Sequence, residues 1–134
     1  FKLKDLIDYI PIKLTANALF LDSFIMATLY QLHSTMDNLR RSTDQLALTW
    51  RHGDSLMLLG STAAFIDWLT AYLKENEITG IANIYALSAD LSQLDEATTT
   101  KLKLNNKVDA VLSDTEWVKL TQDSTFDNVV TIAL

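Results

Sequence analysis

The stretch Thr15–Arg41, TANALFLDSFIMATLYQLHSTMDNLRR, holds neither glycine nor proline, and its reading decides the fold expected of the whole chain. Ala18, Leu21, Ile25, Thr28, Leu32, Met36 and Leu39 recur at spacings of three and four. That period lines up one stripe of a helix, the seam of a coiled coil or bundle. Leu19, Phe20, Phe24, Leu29 and Tyr30 fall on other faces. A helix apolar nearly all round is expected to be enclosed by neighbours. From Gln31 the pattern becomes one-sided and ends at Arg40-Arg41, cations suited to the negative end of a helix dipole.

The flanking segments extend the same helical reading. Residues 2–9 carry Leu3 and Leu6 against Lys2, Lys4, Asp5 and Asp8, a short amphipathic helix that Pro11 ends. Ser42-Thr43-Asp44-Gln45 has the spacing of a capping box. Gly53 is placed to close one helix and Asp54 to cap the next. Residues 55–76 form a second strongly apolar segment, and Ile84, Leu87, Leu91 and Leu94 mark a further one-sided helix. Ser113 and Glu116 make another capping box. The expectation is an all-α fold: an antiparallel bundle of four to six helices in a single domain, 1–134, with an irregular C-terminal tail. The Thr-rich alternation over 98–104 and the β-branched run over 128–134 suggest an alternative, an α+β fold with a small sheet made from those two segments.

Composition bounds the function classes. The chain has 134 residues, 49% of them apolar, enough for a core without disulfides. It has no cysteine, which removes thiol catalysis and Cys-ligated metals. Its net charge is −6, with five lysines against twelve acidic residues over 54–134, so a nucleic-acid partner is not expected. No run of 18 apolar residues is present, and no membrane span is expected. The chain begins at Phe1, as a processed form or excised domain would. Nothing in the sequence fixes a compartment.

Candidate sites are few. Asp22 sits among Ala18, Leu19, Ile25, Met26 and Leu29, where a carboxylate needs a partner. With Tyr30, Trp68 and Tyr72 it defines a candidate ligand pocket or buried polar site. His33 and Asp37, four apart, and His52 beside Asp54 define a candidate surface site. No phosphate loop, nucleophile elbow or metalloprotease motif occurs, so no catalytic residue, metal or cofactor is assigned and an enzyme is not expected. The main functional expectation is a non-catalytic protein–protein interaction module (an adaptor, regulatory subunit, inhibitor or assembly component). Exposed apolar helix faces would meet a protein partner or form a homo-oligomer. The alternative is a small-ligand-binding or sensor bundle with its pocket near Asp22.

Overall fold

Ala27–His33 is a β-strand, β1, and not the middle of a helix. This computed structural model describes residues 27–134. Thr28 and Tyr30 suit an extended backbone, but the deciding contribution is tertiary. One edge of β1 pairs in parallel with β2 (Ser55–Leu58), from Leu29↔Ser55 to Leu32↔Leu58. Its other edge pairs in parallel with β5 (Phe126–Ala133), from Ala27↔Phe126 to His33↔Ala133. A local irregularity between Ala27 and Thr28 accommodates Asp127. β3 (Ile84–Leu87) and β4 (Ala110–Leu112) complete a parallel five-stranded sheet in the order β4-β3-β2-β1-β5.

The side-chain period of two divides each strand between two cores. Tyr30, Leu32, Leu56, Leu58, Ala86 and Ile132 pack on one face. That core is completed by the connections joining β1 to β4. These are α1 (Leu39–Ala47), a 3-10 turn over Gly60–Phe65 running into α2 (Ile66–Glu75), and the short helices α3 (Ser88–Leu91), α4 (Glu96–Leu102) and α5 (Leu104–Lys107). Leu29, Met57 and Leu87 form the other face, covered by Trp117 and Leu120 of α6 (Asp114–Thr121). Parallel crossovers are right-handed. Steps from β1 to β4 run one way across the sheet, and the return to β5 runs the opposite way. The helix of that return therefore belongs on the opposite face, where α6 sits.

The expected all-α antiparallel helical bundle is thus corrected to a mixed α/β fold with a parallel central sheet. The alternative small sheet is corrected as well. Residues 98–104 are largely helical, and β5 pairs with β1 rather than with them. Within 55–76 only the second part is helical, and the helix expected from Gly80 to Leu94 is β3 followed by α3. Two-face burial is the common cause. A strand covered on both sides needs no polar alternation and reads as a continuous apolar run. The proposed helix over residues 2–9, the N-terminal part of Thr15–Arg41 and Asp22 lie outside the described residues.

Local chemistry at the helix ends follows the sequence where it was specific. Ser113 Oγ accepts from Glu116 N, and Glu116 returns a carboxylate oxygen to Ser113 N at 2.8 Å. The hydrogen bond from Ser113 N holds the Glu116 carboxyl below its ordinary pKa. Ser42, by contrast, lies inside α1 and is fully buried.

Asp54 is not a helix cap. It is 2% exposed at the entry to β2. Its Oδ1 accepts from Thr28 N at 2.9 Å and its Oδ2 from Arg51 N at 2.8 Å. Both ion pairs found among the described residues, Arg40–Glu75 and Lys107–Asp67, lie elsewhere. Among the described residues, the carboxylate ties the start of β1 to the loop before β2 through two backbone N–H groups. Removing it strands two donors, each costing about 1–3 kcal/mol when buried. Asp54→Ala is expected to lower stability by about 3 kcal/mol and Asp54→Asn, which keeps one acceptor, by about 2 kcal/mol. Urea denaturation checks this, with exposed Asp127→Asn as a control staying within about 0.5 kcal/mol of wild type.

Candidate functional site

In an open parallel sheet, ligands bind beyond the carboxyl ends of the strands, where the strand order reverses. Here the reversal lies between β1 and β5. The chain leaves β1 toward β2, while β5 enters from the far side. At the carboxyl ends of these two strands a cavity of about 300 Å³ opens, lined by His33, Ser34, Thr35, Ser61, Ala133 and Leu134.

Backbone and side-chain bonds fix its walls. Thr35 N donates to Leu134 O at 3.4 Å, closing the β1–β5 end. Leu59 N donates to Leu32 O at 2.8 Å, carrying the β1–β2 pairing to the lip. Gly60 N donates to Asp90 Oδ2 at 2.8 Å, which anchors the loop after β2 to the start of α3. Beneath the surface, Ser34, Ser42 and Thr62 form a buried hydroxyl cluster. Ser42 Oγ donates to Ser34 Oγ at 2.9 Å, and Ser34 N donates to Thr62 Oγ1 at 2.9 Å. The cluster joins α1, the exit of β1 and the turn after β2 into one support. A buried network with its members paired rigidifies what it touches.

The polar side chains among the lining residues are the His33 imidazole and the hydroxyls of Ser34, Thr35 and Ser61. Thr35 Oγ1 accepts from Asn38 Nδ2 at 3.1 Å and keeps its own proton to donate. Ser34 Oγ is already committed, donating to Thr35 O at 3.0 Å. Among the described residues no Asp or Glu side chain lines the cavity, in a chain whose net charge is −6. Gly60, at φ +63°, sets the position of His33. A Cβ there would lie 2.6 Å from His33 Nε2, so the ring rests directly on the glycine.

The residues singled out from the sequence are not brought together as one site. His33 lines the cavity, whereas Asp37 lies in the 3-10 turn Met36–Asn38. The two share no helix face. His52 lies before β2, at the other end of the sheet. Its Nε2 is 2.8 Å from Thr79 Oγ1 and its ring packs on Gly80. Tyr30 is buried beside Trp50, and its hydroxyl donates to Thr49 O at 3.1 Å. The rings of Trp68 and Tyr72 on α2 are tilted against each other, their centroids 6.2 Å apart, with Arg40 over the Tyr72 ring. Neither lines the cavity at the strand ends. Among the described residues, no group of three or more His, Asp or Glu side chains gathers as a metal site. No helix among them is long and apolar enough to cross a membrane.

Sequence reasoning missed Thr35, Gly60, Ser61 and Asp90. A signal was present: the apolar run ending at Leu32 is followed by His-Ser-Thr, and the run ending at Leu59 by Gly-Ser-Thr. Both runs lead into a Ser-Thr pair, Ser34-Thr35 and Ser61-Thr62, at the exits of two adjacent parallel strands.

No protein-family model matches this chain, and no curated protein and no solved structure matches it significantly. The functional reading therefore stands on the site itself.

Gly60→Ala is expected to cost about 1 kcal/mol, because an alanine is strained at positive φ, and to push the His33 ring off its seat. Urea unfolding and the His33 ring signals in an NMR spectrum report both effects. Gly53→Ala is the control. It also has positive φ but open space around it, so it should lose stability without moving His33.

Proposed function

We propose that this chain binds a small ligand rich in hydrogen-bond acceptors, with the site at the carboxyl ends of β1 and β5. The observation that carries this reading is the cavity at the strand-order reversal, lined by His33, Thr35 and Ser61 and, among the described residues, by no acidic side chain. Its volume of about 300 Å³ suits a compact ligand, at the small end of ordinary pockets. A preformed wall reduces the ordering cost that binding otherwise carries. The role in this reading is binding or sensing, with His33 as a recognition group at the cavity.

The expectation of a protein–protein module working through exposed apolar helix faces is corrected, and the reason is the fold. Leu29, Leu32, Leu56, Met57 and Leu58, which supplied the apparent surplus of apolar helix surface, are fully buried strand residues. The small-ligand alternative is retained at a different place, since the sheet and not a bundle supplies the pocket. A homo-oligomer stays part of the proposal, supported by the outer edge of β5 rather than by a helix.

Two-dimensional NMR titrations with inorganic phosphate, acetate and a mononucleotide test the reading. Saturable shifts confined to residues 33–35, 60–62 and 133–134 are expected for at least one probe. His33→Ala should weaken that binding about tenfold, the loss of one hydrogen bond to a charged group. Shifts centred elsewhere, no shifts with any probe, or undiminished binding by His33→Ala would contradict it.

A further inference from the structure

The two edges of the sheet are unlike. β4 is three residues long, while β5 runs for eight and has no strand partner on its outer side among the described residues. A strand edge offers a row of N–H and C=O groups to any chain that can pair with it. Proteins guard such edges with lysine, proline or short length. β5, FDNVVTIA, contains no lysine, arginine or proline, and its one charge is Asp127. Residues 127–131 are all exposed, with Val129 39% and Val130 40% accessible. Beside them lies a groove of about 400 Å³ between α1 and β5, bordered by Tyr30, Leu48, Val130, Ile132 and Leu134. Leu48, at 81% exposure, is the most exposed large apolar side chain described.

We propose that the outer edge of β5 pairs antiparallel with the same edge of a second copy of this chain, joining two five-stranded sheets into one of ten strands. The geometry selects the occupant. A two-fold axis perpendicular to the sheet keeps each face continuous, so residues directly opposite must share a face. Centred on Val130, the pairing sets Val130 against Val130 of the second copy, Val129 against Thr131 and Asn128 against Ile132. These are β-branched and neutral pairs of the kind that stabilise sheets. The same operation brings Leu48 and the apolar groove of both copies to one side of the seam. Asp127 falls opposite Ala133. The two copies of Asp127 are then about 20 Å apart at roughly 3.4 Å per residue. That exceeds the screening length of about 8 Å at physiological salt, so the acidic chains do not repel at the seam. The strand meets itself without a like-charge contact, and such an isologous contact closes at two subunits. The pairing does not depend on the ligand reading, and it sets Asp127 of the second copy opposite Ala133, at the rim of the cavity by His33.

Sedimentation equilibrium from micromolar to millimolar protein tests the pairing. A monomer–dimer equilibrium is expected. Val130→Lys and Val130→Glu each set like charges directly opposite one another and should raise the dimer dissociation constant at least about tenfold. Equimolar mixing of the two variants should restore the dimer. Leu48→Glu, outside the strand, should weaken it without touching strand propensity, and circular dichroism confirms that each variant is folded. Val118→Lys on α6, also exposed but outside the paired strand and the groove, should leave association unchanged. A wild-type protein that stays monomeric overturns the proposal. So do variants that dimerise as tightly as wild type, or a Lys/Glu mixture that remains monomeric.

Discussion

The two-sided pairing of β1 is the interaction on which the rest of this structure depends. Its backbone is satisfied by β2 on one edge and β5 on the other, and its side chains Leu29 and Leu32 are fully buried in opposite cores. A parallel neighbour on each side forces every connection to cross a face of the sheet. Right-handed crossovers then put the β1-to-β4 connections on one face and α6 on the other. Asp54 holds the amino end of this arrangement by gripping Thr28 N, and the Ser34–Ser42–Thr62 hydroxyls hold the carboxyl end. Both anchors are buried and paired through hydrogen bonds, so each acts by positioning more than by charge.

The candidate site is a consequence of that constraint. Where the strand order reverses, what lines the cavity is decided by the residues at and just past the strand ends. His33 ends β1 and Thr35 follows it, Ser61 follows β2, and Leu134 follows β5. The supporting bonds run in a row along the carboxyl edge, from Leu134 to Thr35, Leu32 to Leu59 and Gly60 to Asp90. A ligand meeting this edge finds donors already placed.

Part of this was legible in the sequence. The capping box at Ser113 and Glu116 is local, and it forms as read. The extended character of residues 128–134 was visible in their β-branched run, but the partner was not, because pairing with β1 spans about a hundred residues. The helical reading of Thr15–Arg41 failed over β1 because Thr28, Leu32, Met36 and Leu39 happen to fall at helical spacing. Over 55–58, Ser-Leu-Met-Leu lacks alternation because both faces of β2 are buried. Scarce glycine and proline misled for a related reason. The turns here are closed by Ser, Thr and Asp side chains, so few backbone-punctuating residues are needed. His33 was singled out from its own residue type, yet its neighbours Ser61 and Leu134 are brought to it only by the sheet. Asp54 was read as a cap because nothing local reveals that Thr28 N would reach it.

The account stands on parallel pairing of β1 with both neighbours, and cross-strand nuclear Overhauser contacts measure that directly. Contacts linking residues 29–32 with 55–58 on one side and with 129–132 on the other are predicted, together with slow amide exchange across β1. Sequential helical contacts three residues apart through 27–33, with no cross-strand contacts, would contradict it.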